Sequence, residues 1–235
     1  MIMYNTLMGV AAGVALLVVP RLWARIAGEN PPALWLGRRP VSPAGWAATF
    51  GVLGIVLTVL GGMMTLTWPL AKAKPYINIP FGEPSFLLGV LLLAAALFLG
   101  RAAAGGSLDV ERLRDVLVPV SRIVFWLGIV LVVCTIAVIR FDIVSSAPTE
   151  EPLSGLLNAH PIVENLFFAV VMYAPAALGC LLFPRAIEGN RTAWLTLYWC
   201  WTIAGLAFAG FSALNYYTHT GMLVNLQNDG PDFRW

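Results

Sequence analysis

Residues 83–100 read EPSFLLGVLLLAAALFLG, and from Ser85 to Gly100 no side chain carries a charge. A helix on the surface of a water-soluble domain shows one apolar stripe, whereas this stretch is apolar all round. Continued to residue 104, it has the roughly 20 residues a helix needs to cross the ~30 Å hydrocarbon core of a bilayer. Similar runs elsewhere bring the expected spans to 3–20, 45–68, 85–104, 117–139, 163–183 and 193–214. Backbone amides find no water in lipid, so continuous apolar runs must be helices, and a β-barrel would instead need alternating segments of about ten residues.

Composition agrees. Hydrophobic residues make up 59% and charged residues 11% of the 235 positions, against roughly 45–50% and 25% in soluble domains. The expectation is an all-α, polytopic membrane bundle of six transmembrane helices forming one integral domain over 1–235, with the lipid bilayer as its main partner. Cys134, Cys180 and Cys200 fall in three different apolar runs, which suggests neither a disulfide framework nor a zinc site.

Charge sets the orientation. Arg21, Arg25, Arg38, Arg39, Arg101, Arg112, Arg114, Arg122, Arg185 and Arg191 fall on one side of the six spans, whereas Lys72, Lys74, Arg140 and Arg234 fall on the other. Lys and Arg concentrate in cytoplasmic links, so both termini are expected outside. The first ten residues carry no charge and the arginines follow the first span, which favours a retained helix over a cleaved signal. The small net charge of +2 gives no nucleic-acid surface. Trp23, Trp46 and Trp194 toward the inner boundary, with Trp68, Tyr216 and Tyr217 toward the outer one, read as interfacial belts.

The links differ in character. The inner link 28–45 holds four prolines and cannot be helical throughout. The link around 107–117 reads as a short amphipathic helix capped by Ser107, with Asp109 and Glu111 in its first turn. Glycines Gly9 and Gly13, and the small residues Gly205, Ala209 and Ala213, recur every four positions, a spacing that favours close packing within the chain.

Two acids stand at similar boundaries: Glu83 beside Pro84, and Glu164 three residues after Pro161. Aligning them also aligns Phe86 with Phe167 and Ala95 with Ala176, a weak repeat of one hairpin unit. Two readings remain open. Proline suits the first position of a helix and an acid suits its positive end, so both acids have a purely geometric role. Alternatively Glu83, Glu164 and the two histidines, His160 and His219, converge at the outer face as a polar cluster able to hold a metal or relay protons. The spacing names no metal ligands, and no cofactor is assigned. Nucleotide loops, serine elbows and H-E-x-x-H pairs are missing from the sequence, so soluble-type catalysis has no home.

TLTWPL at 65–70, followed by YINIPFGEPSFLLGVLLLAAALFL at 76–99, resembles a family of polytopic prokaryotic membrane proteins known only as a domain of unknown function. The resemblance covers about residues 44 to 215 and is most specific from Asn78 through Ser85. It marks Asn78, Gly82, Glu83 and Pro84 as motif positions, without a catalytic role. The leading expectation is a non-enzymatic accessory or scaffold subunit of a prokaryotic cytoplasmic membrane, engaging a partner, such as another membrane subunit, through its outer loops and the tail after residue 214. The alternatives are a small-solute transporter or channel and a quinone- or metal-linked oxidoreductase component.

Overall fold

The computed structural model describes residues 4–28, 42–69, 75–105, 108–144, 147–228, 230 and 233. Among them, six helices are long and apolar enough to cross a membrane: α1 (Tyr4–Ala27), α2 (Pro43–Thr67), α3 (Asn78–Gly105), α4 (Val110–Arg140), α5 (Pro161–Ile187) and α6 (Arg191–Gln227). The described residues contain no strand. Large apolar side chains stand exposed along one face of α2 (Val52, Ile55, Val59, Met63, Leu66) and of α4 (Ile123, Trp126, Val130, Val133, Ile136). Surfaces of that kind suit hydrocarbon rather than water, and the chain is a multi-pass membrane protein.

Local chemistry fixes several helix ends. Ser42 caps α2 by accepting from the Gly45 amide at 3.2 Å, ahead of Pro43 at the first helical position. Asp109 caps α4 through the Arg112 amide at 2.8 Å, and Asn190 caps α6 through the Ala193 amide at 2.9 Å. Each oxygen satisfies an amide that has no partner inside its own helix.

Four boundaries differ from expectation. The amphipathic link is no separate helix: Val110 onward is continuous with α4, Pro119 lies inside it, and Ser107 is outside the described residues. Helix α3 begins at Asn78, which places Glu83 and Pro84 in its interior instead of at its start. Helix α6 runs to Gln227, so most of the expected tail is helix. Helix α1 runs to Ala27, which puts Arg21 inside a helix, buried, with its guanidinium over the Tyr198 ring at 5.3 Å and donating to the Leu17 carbonyl. Trp23 and Trp194 are buried too, so neither belongs to a lipid-facing belt.

Glycine governs the packing. In the α2–α3 hairpin, a Cβ on Gly61 would lie 2.6 Å from the Phe86 amide nitrogen, and one on Gly89 would lie 2.4 Å from that of Thr58. Helices α1 and α6 meet in the same way, Gly13 lying against Ala209 and the Gly205 carbonyl. The small-residue spacings therefore serve contacts within the chain. Buried apolar side chains of the described residues form two clusters. One joins α1 to α2 and α3, and the other joins α1 to α4, α5 and α6. Helix α1 thus belongs to both halves.

The described arginines Arg25, Arg101, Arg112, Arg114, Arg185 and Arg191 gather toward one end of the bundle, the basic end. The opposite end carries the segment 141–160 and the far portion of α6, and is called the cap. Arg38, Arg39, Lys72, Lys74 and Arg234 lie outside the described residues.

Candidate functional site

The cap is built from buried polar side chains. Glu151 is buried, and its Oε1 accepts from the Thr218 hydroxyl at 2.6 Å while His219 Nε2 stands 3.7 Å away. About two turns further along α6, Asn225 is fully buried. Its amide nitrogen donates to the Glu150 carbonyl at 2.7 Å and the Phe233 carbonyl at 2.8 Å, and its oxygen accepts from the Phe233 amide at 3.0 Å. Pro152 packs where a Cβ on Gly221 would come within 2.5 Å of its Cγ, so glycine is required there. Thr218, Met222 and Asn225 are all buried at i, i+4 and i+7, one helix face. These contacts fasten segment 147–158 to the far portion of α6.

The start of α5 holds the other side of the segment. Glu164 is buried in the first turn and accepts from the Ala147 amide at 3.1 Å. Asn165 beside it accepts from the Val144 amide at 2.9 Å and donates to Asp142 Oδ1. Asn158 completes the fold of the loop by donating to the Ala147 carbonyl at 2.8 Å. Buried polar groups need such partners, and here carboxylates and amides of both helices supply them to the loop backbone.

The four residues predicted to cluster are placed as follows. Glu164 and His219 both enter the cap, reached through Ala147 and Glu151 respectively. His160 is exposed at the N-cap of α5, where its side chain makes no capping bond. Glu83 is exposed in the second turn of α3. Among the described residues, no group of three or more His, Cys, Asp or Glu side chains is placed to hold a metal ion. The geometric reading holds for Pro161 and Glu164, which do open α5, and fails for Glu83. Sequence reasoning passed over Glu151, Asn165, Thr218 and Asn225. The spacing of Thr218, Met222 and Asn225 was the available signal.

The motif 78–85 forms a second junction. Pro84 has no N–H, so the Pro80 carbonyl one turn earlier loses its usual donor. The Tyr173 hydroxyl of α5 fills that place, donating to the Pro80 carbonyl at 2.8 Å. Phe81 packs edge-on against Phe168 and Tyr173, with ring centroids 5.6 and 6.3 Å away. Gly82 lets α3 approach Met64 of α2, where a Cβ would meet Met64 Cβ at 2.8 Å. Asn78 is buried and donates to the Pro75 carbonyl at 2.9 Å. Gly82 and Pro84 therefore serve the meeting of α2, α3 and α5, Asn78 bonds to the turn just before its own helix, and Glu83 is exposed.

Thr65 and Thr67 bond to the Gly61 and Met63 carbonyls of their own helix. Ser212 and Asn215 of α6 do face an internal cavity of about 310 Å3, which lies between the two halves.

Comparison with known proteins places the chain in one family. Residues 1–222 match the family described as protein of unknown function (DUF981), and the chain belongs to it. No curated protein and no solved structure gives a match.

Proposed function

We propose that this DUF981 member is a non-enzymatic subunit of a prokaryotic cytoplasmic membrane that engages a partner through its cap. The distribution of arginines supports a cytoplasmic basic end and an outer cap. The partner reading rests on one observation, the conformation of Leu153. It sits at φ 62, ψ −64 and is 37% exposed, a backbone state that costs a residue with a side chain ~1–3 kcal/mol. The strained residue closes a tight turn in which the Ser154 amide donates to the Pro152 carbonyl at 2.7 Å, and that turn displays apolar side chains: Leu153, Leu156 and Leu157 stand exposed on a loop that Glu150, Glu151 and Pro152 fix to α6, and Tyr216 and Tyr217 are exposed on the same helix. Aromatic residues on a rigid support suit an interface.

Leu153→Gly separates strain from recognition. Relief of the positive φ should raise thermal stability in detergent by about 1 kcal/mol, while native mass spectrometry of the mild-detergent complex should show the partner lost. A partner retained by that variant, or a chain that emerges alone from mild detergent, rules the reading out. Cysteines placed at Arg38 and Lys72 should label from opposite sides of the membrane, and labelling from one side would reverse the orientation. The transport reading gains nothing from the internal cavity, whose lining among the described residues carries no charged side chain.

A further inference from the structure

The cavity between the halves has the dimensions of a site and the chemistry of one particular ligand class. At about 310 Å3 it falls within the ~300–1,000 Å3 range of small-molecule sites. Its lining follows α6 from Trp194 to Asn215, about 31 Å at 1.5 Å per residue, which matches the thickness of the hydrocarbon slab. Over most of that length the walls are leucine, valine, alanine and phenylalanine. Water gains too few hydrogen bonds in an apolar cavity to fill it, whereas apolar guests enter such spaces readily.

Five polar side chains of the lining collect at the cap end. Asn5 and Thr6 of α1, Ser85 of α3, and Ser212 and Asn215 of α6 all contribute there. Together they offer amide and hydroxyl donors and acceptors but no charge. A phosphate or carboxylate in their midst would be buried without a countercharge. The opposite end offers the buried Trp194 indole N–H, which has no hydrogen-bond partner among the described residues and can serve one acceptor. The five-residue end is therefore the better seat for a polar head. Phe168, Met172 and Tyr173 of the wall lie in the π-helical segment Phe167–Tyr173 of α5, just before Pro175. Departures of this kind inside helices often mark functional sites.

The geometry points to a binding site for one membrane-borne amphiphile with an uncharged, hydrogen-bonding head and a long hydrocarbon tail. The head sits among Asn5, Ser85, Ser212 and Asn215, and the tail extends between α3 and α4 toward Trp194. This site is independent of the cap and of any partner there.

Photolabelling of the full chain in mild detergent tests it. The probes are hexadecanol and phosphatidylglycerol, each carrying a diazirine in its chain. Hexadecanol should label cavity residues of α1, α3 and α5 well above the outward-facing Ile55 and Ile136. Leu91→Trp, which fills the cavity, should abolish that labelling. Ser85→Ala with Asn215→Leu, which removes head contacts without filling the space, should raise the hexadecanol concentration for half labelling by about tenfold, the worth of one or two hydrogen bonds. Equal labelling of inner and outward-facing residues, equal cavity labelling by phosphatidylglycerol, or an unchanged half-labelling concentration in the double variant would each overturn the assignment. The double variant decides the matter if Leu91→Trp does not fold.

Discussion

The starts of α3 and α5 look alike in the sequence and behave differently in the molecule. Both place an acid within three residues of a proline near the head of an apolar run. In α5 the proline occupies the first helical position, the acid lies in the first turn, and its carboxylate is buried against the loop amide of Ala147. In α3 the helix has already begun at Asn78, so Pro84 interrupts it from within and Glu83 points outward. The lesson concerns proline more than the acid. At a helix start a missing N–H has no consequence, whereas inside a helix it leaves a carbonyl that another element must serve. Tyr173 serves it, and a local interruption thereby becomes a link between the two halves of the bundle.

Substitutions at the two starts should separate sharply. Glu164→Ala leaves the Ala147 amide buried without its charged acceptor and should cost about 2–3 kcal/mol. Thermal melting in detergent measures the loss, and limited proteolysis should cut within 147–158. Next in size, Tyr173→Phe should cost about 1–2 kcal/mol by leaving the Pro80 carbonyl unserved. Pro84→Ala restores a donor within α3, so the same tyrosine change should cost less in that background, and a double-mutant cycle reads the difference. Undiminished cost would show that the hydroxyl does not replace the proline's missing donor. The smallest effect belongs to Glu83→Gln, which should shift stability by no more than about 0.5 kcal/mol, as expected of an exposed side chain. A larger loss there would restore equivalence between the two acids.

The six spans were legible because a bilayer imposes a length, and uninterrupted stretches such as Phe86–Leu99 meet it without help from tertiary structure. Helix ends were less legible for the same reason. An apolar run marks where hydrocarbon begins and ends, yet α6 continues to Gln227 because Thr218 and Asn225 find hydrogen-bond partners in Glu151, Glu150 and Phe233. Glu83 misled because proline is commoner at helix starts than inside helices, and the compensating group lies 93 residues away in the chain. The cap network was only faintly legible for a related reason. The spacing of Thr218, Met222 and Asn225 marks one helix face, but Glu151 and Asn165 acquire their roles through contacts that no local spacing encodes.

Helix α6 is also longer than the slab it crosses. Its 37 residues span about 55 Å at 1.5 Å per residue, and the stretch from Asn215 to Gln227 accounts for ~20 Å of that. A rod pivoting where Gly205 and Ala209 rest on Gly13 acts as a lever: a tilt of about 10° swings the far tip, ~30 Å from that pivot, sideways by ~5 Å. Because segment 147–158 is fastened to the tip, rearrangement of the interior would be felt as lateral travel of the leucines that the cap displays.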